Sequence, residues 1–131
     1  MITGDSRMAA GSVTLANRKS AQRAPVYMYY LVWETPVGEG VFKSPHTLEM
    51  PLMFNNVDKA AAITGESTEA RILENQMSSS WVAFARTGDP SNPTIGNWPP
   101  YTERKKATMI FDVEPRVAED PKGDLLKLMA R

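Results

Sequence analysis

VYMYYLVW, residues 26–33, decides how the rest of this chain is read. The run is almost continuously apolar, rich in aromatic and β-branched residues, and too short for a helix; Pro25 opens it. Such a segment is expected to be a strand covered on both faces, the kind found inside α/β sheets. It also asks for neighbours on both edges, because a long apolar edge left open pairs with other chains. The sequence offers one other convincing strand, ATMIFDV at 107–113, and two strands alone are marginal in water. The expected fold class is therefore α/β. Strands 26–33 and 107–113 pair antiparallel, several helices pack around them, and part of a larger sheet comes from elsewhere.

Outward from these strands the chain is mostly helical. Asp5 can cap a helix running to about Gln22, with Met8, Val13, Leu15 and Ala16 as its apolar positions and Gly11 weakening it. Pro36, Gly38 and Gly40 turn the segment after the first strand into a loop. Residues 49–55 read as a short helix. The clearest helix starts at Ser67, a good N-cap, with Glu69 in a first turn that favours negative charge. Leu73, Met77, Trp81 and Phe84 then form one apolar stripe, and Gly88 and Pro90 end the helix. A proline-rich loop fills 88–101, and a last amphipathic helix runs from about Pro121 through Leu125, Leu126 and Met129. There is no internal repeat and no low-complexity tract.

Composition excludes several function classes. Fifteen basic and fifteen acidic residues cancel, so no electrostatic footprint for nucleic acid or an anionic membrane exists. The densest basic run, Arg104-Lys105-Lys106, sits beside Glu103 and reads as a solvated turn. The absence of cysteine rules out disulfides, thiolate chemistry and cysteine-bound zinc, and it fits a reducing, cytoplasmic compartment. No apolar run reaches the roughly 18–20 residues that span a bilayer, and the N-terminal residues lack the regions of a signal peptide. The length suits one ordinary domain.

One histidine remains, His46, in KSPHTLEMPLMF at residues 43–54. Alone it reads equally as a surface residue. With no second histidine and no cysteine, a transition-metal site is not built around it. Ser44 is two residues away, where side chains in an extended loop diverge, and no serine here sits in a Gly-x-Ser-x-Gly elbow. The context says more. A buried strand, a loop with one histidine and an acid three positions on is how an α/β-hydrolase ends, its triad running serine, acid, histidine. The base has to reach the nucleophile from a loop held at the carboxyl end of a rigid strand.

HTLEMPLMF resembles the histidine segment of the type-B carboxylesterases, the family of para-nitrobenzyl esterases and cholinesterases. WVAFARTGDPSNP followed by NWPPYTE is similar to that family's C-terminal helix and tryptophan-proline loop. APVYMYYLVWETP resembles the strand before the histidine, and TMIFDVEPRVAEDP the terminal strand and tail. The likeness covers about residues 5–121 in the family's order. It implies that residues 1–131 are a single C-terminal portion of a carboxylesterase domain: strand, histidine loop, helix, terminal strand and tail.

By this resemblance His46 is the triad's general base. Glu49 joins a buried hydrogen-bond network beside the active site rather than acting as the triad acid. Read from the residues alone, Glu49 is also a helix N-terminal carboxylate favoured by the dipole, and that alternative stays open. Trp81, Phe84, Gly88, Asp89, Pro90 and Trp98 match structural positions: a packed helix, its stop and an anchored loop. Phe42, Met50 and Met53 are pocket or core residues. Relatives often carry small residues shortly before the histidine, where this chain has Lys43-Ser44-Pro45; proline holds Ser44 extended and re-aims the imidazole.

The nucleophile elbow, the oxyanion segment and the triad acid lie upstream in the family and have no counterpart here. The chain alone is therefore expected to be inactive, with no cofactor called for. Its expected partners are the N-terminal portion of the esterase, in the same polypeptide or in trans, and in the complete enzyme a small-molecule ester; nucleic acid and membrane are not among them. The alternative is a non-catalytic interaction or oligomerisation module derived from an esterase tail. On either reading the isolated chain self-associates through its open strand edge.

Overall fold

The computed structural model of the chain describes residues 3–129, with side chains described for 8–128. In chain order these form α1 (Thr3–Ser20), β1 (Met28–Leu31), α2 (Glu49–Met53), a 3₁₀ turn (Val57–Lys59), α3 (Ala61–Thr64), α4 (Thr68–Thr87), β2 (Ala107–Phe111), β3 (Arg116–Glu119) and α5 (Gly123–Met129). Helix α1 begins before Asp5, whose expected capping side chain lies outside the described residues.

The strands form one sheet in the order β1-β2-β3. β3 follows β2 after only Asp112–Pro115, so the two run antiparallel as a hairpin. The β1–β2 pair corrects the expected antiparallel pairing. The Val32 N–H, just past the end of β1, donates to the Phe111 carbonyl at the end of β2 (3.0 Å). Ahead of both strands the Tyr101 N–H donates to the Val26 carbonyl (2.7 Å). End meets end and start meets start, which is a parallel register. The long helical connection between them makes it possible, since parallel neighbours need a crossover. Burial also differs from expectation. β2, central in the sheet, is buried at every residue, whereas β1, at its edge, is half-buried and Tyr30 is exposed.

By packing, the described residues fall into two compact units, and all three strands contribute to both. One unit takes the chain up to Met28, Pro99–Met109 and the chain from Val117. In it α1 packs on α5, and the buried Tyr101 hydroxyl donates to Asn17 Oδ1 at 2.7 Å. Lys106 pairs with Asp120 at 3.1 Å, and the Asp120 N–H returns to the Lys106 carbonyl. Of the apolar positions expected on α1, Ala16 is buried and Val13 half-buried, but Met8 and Leu15 are 69% and 68% exposed. The apolar spacing of α1 is real; only part of that stripe finds a partner surface.

The second unit, Tyr29–Trp98 with Ile110–Arg116, holds the stronger core. Helix α4 begins and ends as its sequence requires: the Ser67 side chain accepts from the Ala70 N–H, and Gly88 takes a left-handed conformation (φ 79°) that lets its N–H cap the Phe84 carbonyl. α2 lies against α4, and Leu48, Leu52, Val57, Leu73 and Met77 are completely buried between them. Beside this layer Phe111 meets Trp98 edge-on at 5.6 Å, Tyr29 at 6.1 Å and Trp81 at 6.3 Å. The expected stripe on α4 therefore faces inward through Leu73, Met77 and, in part, Trp81, while Phe84 is 48% exposed.

A polar tie joins α4 to the 3₁₀ turn. The buried Glu74 carboxylate accepts from the Val57 N–H (2.8 Å) and from Arg71 (3.1 Å), and Arg71 also reaches Asp58. Hydrogen bonds from the guanidinium to Asp58 and then Glu74 raise the Arg71 pKa further above its ordinary value. Truncating Glu74 leaves the buried Val57 N–H without its acceptor. Glu74→Ala is expected to cost about 2–3 kcal/mol in urea unfolding of the chain. A change below about 0.5 kcal/mol, the ordinary size of a surface substitution, would show that this tie does not hold the turn.

Candidate active site

The histidine loop hangs from β1. Past the strand the buried Trp33 donates its indole N–H to Glu69 Oε2 at 3.1 Å, tying the loop's start to the first turn of α4. Thr35, 1% exposed, then closes a hoop: its N–H donates to the Lys43 carbonyl (2.9 Å), and its hydroxyl accepts from the Val37 N–H (3.2 Å). Glu34 and Lys43 pair across the same base at 2.8 Å, both in solvent. Successive turns fill the hoop, from Gly40 N–H to Val37, Val41 N–H to Gly38 and Lys43 N–H to Gly40.

His46 follows at once, between two left-handed residues, Lys43 (φ 57°) and Thr47 (φ 74°). Both conformations are uncommon outside glycine, and for the β-branched Thr47 the cost is real. It is offset by the neighbours: Leu48, the next residue, is completely buried, and its N–H donates to the Pro45 carbonyl at 3.1 Å. Ser44-Pro45-His46 is thus a short bridge anchored at both ends, with the imidazole exposed and, among the described residues, bonded to no other group.

Glu49 begins α2, half-buried in its first turn. Burial first, and the Glu49 carboxylate second, push the Tyr29 phenol above its ordinary pKa. The tyrosine ring is itself fixed edge-on against Trp81 at 5.1 Å. Sequence reading missed Tyr29 as a neighbour of the site; its pattern says only that β1 is apolar, and nothing local links residues so far apart in the chain. Of Phe42, Met50 and Met53, the first two are exposed (59% and 45%) and Met53 is half-buried, so Phe42 and Met50 are not core residues of this chain.

The remaining motif residues surround the end of α4 and the loop beyond. The Asp89 carboxylate accepts from the Ser91 N–H at 2.9 Å, which with a further bond from that serine's side chain holds its pKa below the usual range. Pro90 is buried, and Asn92 links its carbonyl to the Ser80 hydroxyl on α4. Trp98 is 3% exposed against Phe111, its backbone N–H donating to the Ser91 hydroxyl at 3.0 Å. Trp81, Trp98, Asp89 and Pro90 thus have packing or turn-forming contacts, and Gly88 the cap. Among the described residues no cluster of acids and histidine could hold a metal ion, and no helix is long and apolar enough to cross a membrane.

Among solved structures with this arrangement are esterases of the α/β-hydrolase fold. An esterase from the anaerobe Clostridium hathewayi, one that can hydrolyse aliphatic aromatic polyesters, superposes with a TM-score of 0.74 at 32% identity, over 82% of this chain and 21% of that one. A Geobacillus stearothermophilus carboxylesterase gives 0.71 at 38% identity, over 83% of this chain and 23% of that one. The para-nitrobenzyl esterase of Bacillus subtilis is 36% identical over 103 residues, 77% of this chain and 21% of that enzyme. The carboxylesterase family profile matches residues 1–128, and the chain belongs to that family. It spans about a fifth of the length of the relatives it matches.

Proposed function

We propose that this chain is the C-terminal portion of a serine carboxylic-ester hydrolase and supplies its general base, His46. The observation that carries the reading is the exposed imidazole on a bridge anchored at both ends, on the loop that follows β1, in a chain of the carboxylesterase family. The base takes the proton from a serine hydroxyl as that oxygen attacks the ester carbonyl, then returns it to the leaving alcohol. The serine, the oxyanion N–H donors and the triad acid come from the upstream portion, in the same polypeptide or in trans. Glu49, in the first turn of α2, joins a hydrogen-bond network beside the active site in the complete enzyme. The upstream portion also pairs with the outer edge of β1. A polypeptide of carboxylesterase type with those parts acts on small-molecule esters.

The chain alone has no nucleophile elbow in its sequence, so it is expected to turn over para-nitrophenyl acetate no faster than free imidazole. Adding a folded upstream portion of a carboxylesterase restores hydrolysis. Rapid turnover by the purified chain, abolished by His46→Ala, overturns the proposal of inactivity; failure of two folded parts to complement each other counts against the shared site.

A second reading is favoured by the edge of β1. Met28–Leu31 carries no charge, proline or glycine to discourage pairing, whereas β3 at the other edge carries Arg116 and Glu119. An interaction module using that edge would form dimers of the chain. A monomer at millimolar concentration in light scattering removes this reading together with the self-association expected on either one, and leaves the role of His46 to the activity tests.

A further inference from the structure

At the end of α1 lies an open cavity of about 550 Å³, formed wholly within the unit of α1 and α5. One wall is the last turn of α1 and the segment beyond it, residues 17–25; the other is residues 100–103 of the loop ahead of β2. Two bonds fix the walls to each other. The Tyr101 N–H donates to the Val26 carbonyl at 2.7 Å, and the Tyr101 hydroxyl donates to Asn17 Oδ1 at 2.7 Å. Three more fix the turn after α1, from the N–H groups of Ala21, Gln22 and Arg23 to the carbonyls of Asn17, Lys19 and Ser20. Arg23 completes that turn in a left-handed conformation (φ 60°), which costs energy in a residue other than glycine. The cavity is therefore preformed, and its volume is that of a small-molecule site.

Its polar groups carry both signs of charge and are not spent on each other. Burial first, then the Asp120 and Glu103 carboxylates, hold the Tyr101 phenol above its ordinary pKa, so the hydroxyl stays a donor to Asn17. With its oxygen taken, Asn17 has its amide N–H groups left to donate, and among the described residues they meet no acceptor. The Arg23 guanidinium and the Glu103 carboxylate also line the cavity, and among the described residues neither enters an ion pair. A guanidinium with an amide suits a carboxylate, and a carboxylate suits an ammonium. We infer that the cavity binds a small apolar zwitterion of the amino-acid or dipeptide class: Arg23 and Asn17 take its carboxylate, Glu103 its ammonium, and Ala24, Pro25 and Pro100 its hydrocarbon. A simple carboxylic acid meets like charge at Glu103 and a simple amine meets it at Arg23, so selection for both charges is built in. The inference does not depend on His46, which belongs to the other unit.

The 131-residue chain is titrated with leucyl-leucine, with its N-acetyl form and with its C-terminal amide, while backbone amides are followed by NMR. The three probes share one hydrocarbon body and differ in which charge they keep. Leucyl-leucine is expected to shift the amides of residues 17–25 and 101–103 saturably, with a Kd in the millimolar range. Each capped form binds about tenfold more weakly, having lost one charge-assisted contact. Arg23 and Glu103 are exposed, so Arg23→Gln and Glu103→Gln leave the dispersed spectrum intact and each weaken the free dipeptide by the same factor. The two variants also assign the ends. Arg23→Gln binds the free and amidated forms alike, and Glu103→Gln binds the free and acetylated forms alike. Equal binding of all three probes to the unaltered chain, no saturation in the millimolar range, or variants that keep the full discrimination overturn the proposal. His46→Ala leaves the dipeptide response unchanged; loss of the response in that variant puts the binding elsewhere and overturns it too.

Discussion

His46→Ala is expected to lower kcat/KM for ester hydrolysis by about 10⁵-fold in any active assembly that contains this chain, with no change in thermal midpoint. The size follows from the cooperation of triad members: with the base gone, the serine hydroxyl keeps its proton and only binding and oxyanion stabilisation remain. The silence in stability follows from the structure. The imidazole is exposed and, among the described residues, bonds to nothing, while the loop's shape is set by Thr35, Lys43, Thr47 and Leu48. The measurement is a pair of numbers, kcat/KM on a nitrophenyl ester and the melting midpoint. A loss under about tenfold would remove His46 from the mechanism; a matching fall in the midpoint would assign it a structural role instead.

That His46 lies on a loop after a strand was readable because two local signals coincide: an apolar run and the proline and glycines behind it. Helix α4 was readable in full, from the Ser67 cap to the left-handed Gly88, because caps and stops are written in the residues that form them. The sheet was read less well. An apolar run such as VYMYYLVW announces burial but not which edge or direction it takes, so β1 emerged as a four-residue, half-buried edge strand parallel to β2. Direction depends on the crossover between strands rather than on the strands themselves. β3, with the sequence RVAE, has too little apolar alternation to stand out; the hairpin with β2 defines it. The hoop around Phe42 was invisible for a different reason. Two glycines and a proline mark a loop, but only coordinates show that Thr35 and Lys43 close it.

The site's supporting contacts were the least legible part. Tyr29 and Glu49 lie twenty positions apart in the chain, and their coupling depends on where α2 lands against α4. Leu48 and Leu52 direct that landing, yet in the sequence they are simply apolar residues after a histidine. The motif residues of α4 and its loop were easier, because Trp81 and Trp98 read as structural positions and their rings pack on Phe111 and on each other.

Phe111→Ala is the substitution expected to cost the most stability, about 4 kcal/mol in the unfolding free energy of the chain. Phe111 is completely buried at the end of the central strand, and Tyr29, Trp81 and Trp98 all pack their rings on it. Truncation removes the transfer energy of the ring and leaves a cavity that three bulky neighbours cannot fill by small shifts, because each is fixed by its own strand, helix or loop. Against a total of roughly 5–15 kcal/mol for a domain, that loss brings the chain close to its unfolding midpoint. Phe84 provides the control. It belongs to the same apolar stripe of α4 but is 48% exposed, so Phe84→Ala in the isolated chain should cost about 1 kcal/mol or less. Urea midpoints with unchanged slopes separate the two. If both substitutions cost the same, the aromatic cluster around Phe111 is not the core of its unit. If Phe84→Ala becomes as costly as Phe111→Ala only in the complemented esterase, the exposed half of that stripe is where the upstream portion packs, and the strand, the base and the helix are stabilised together by the same association that completes the triad.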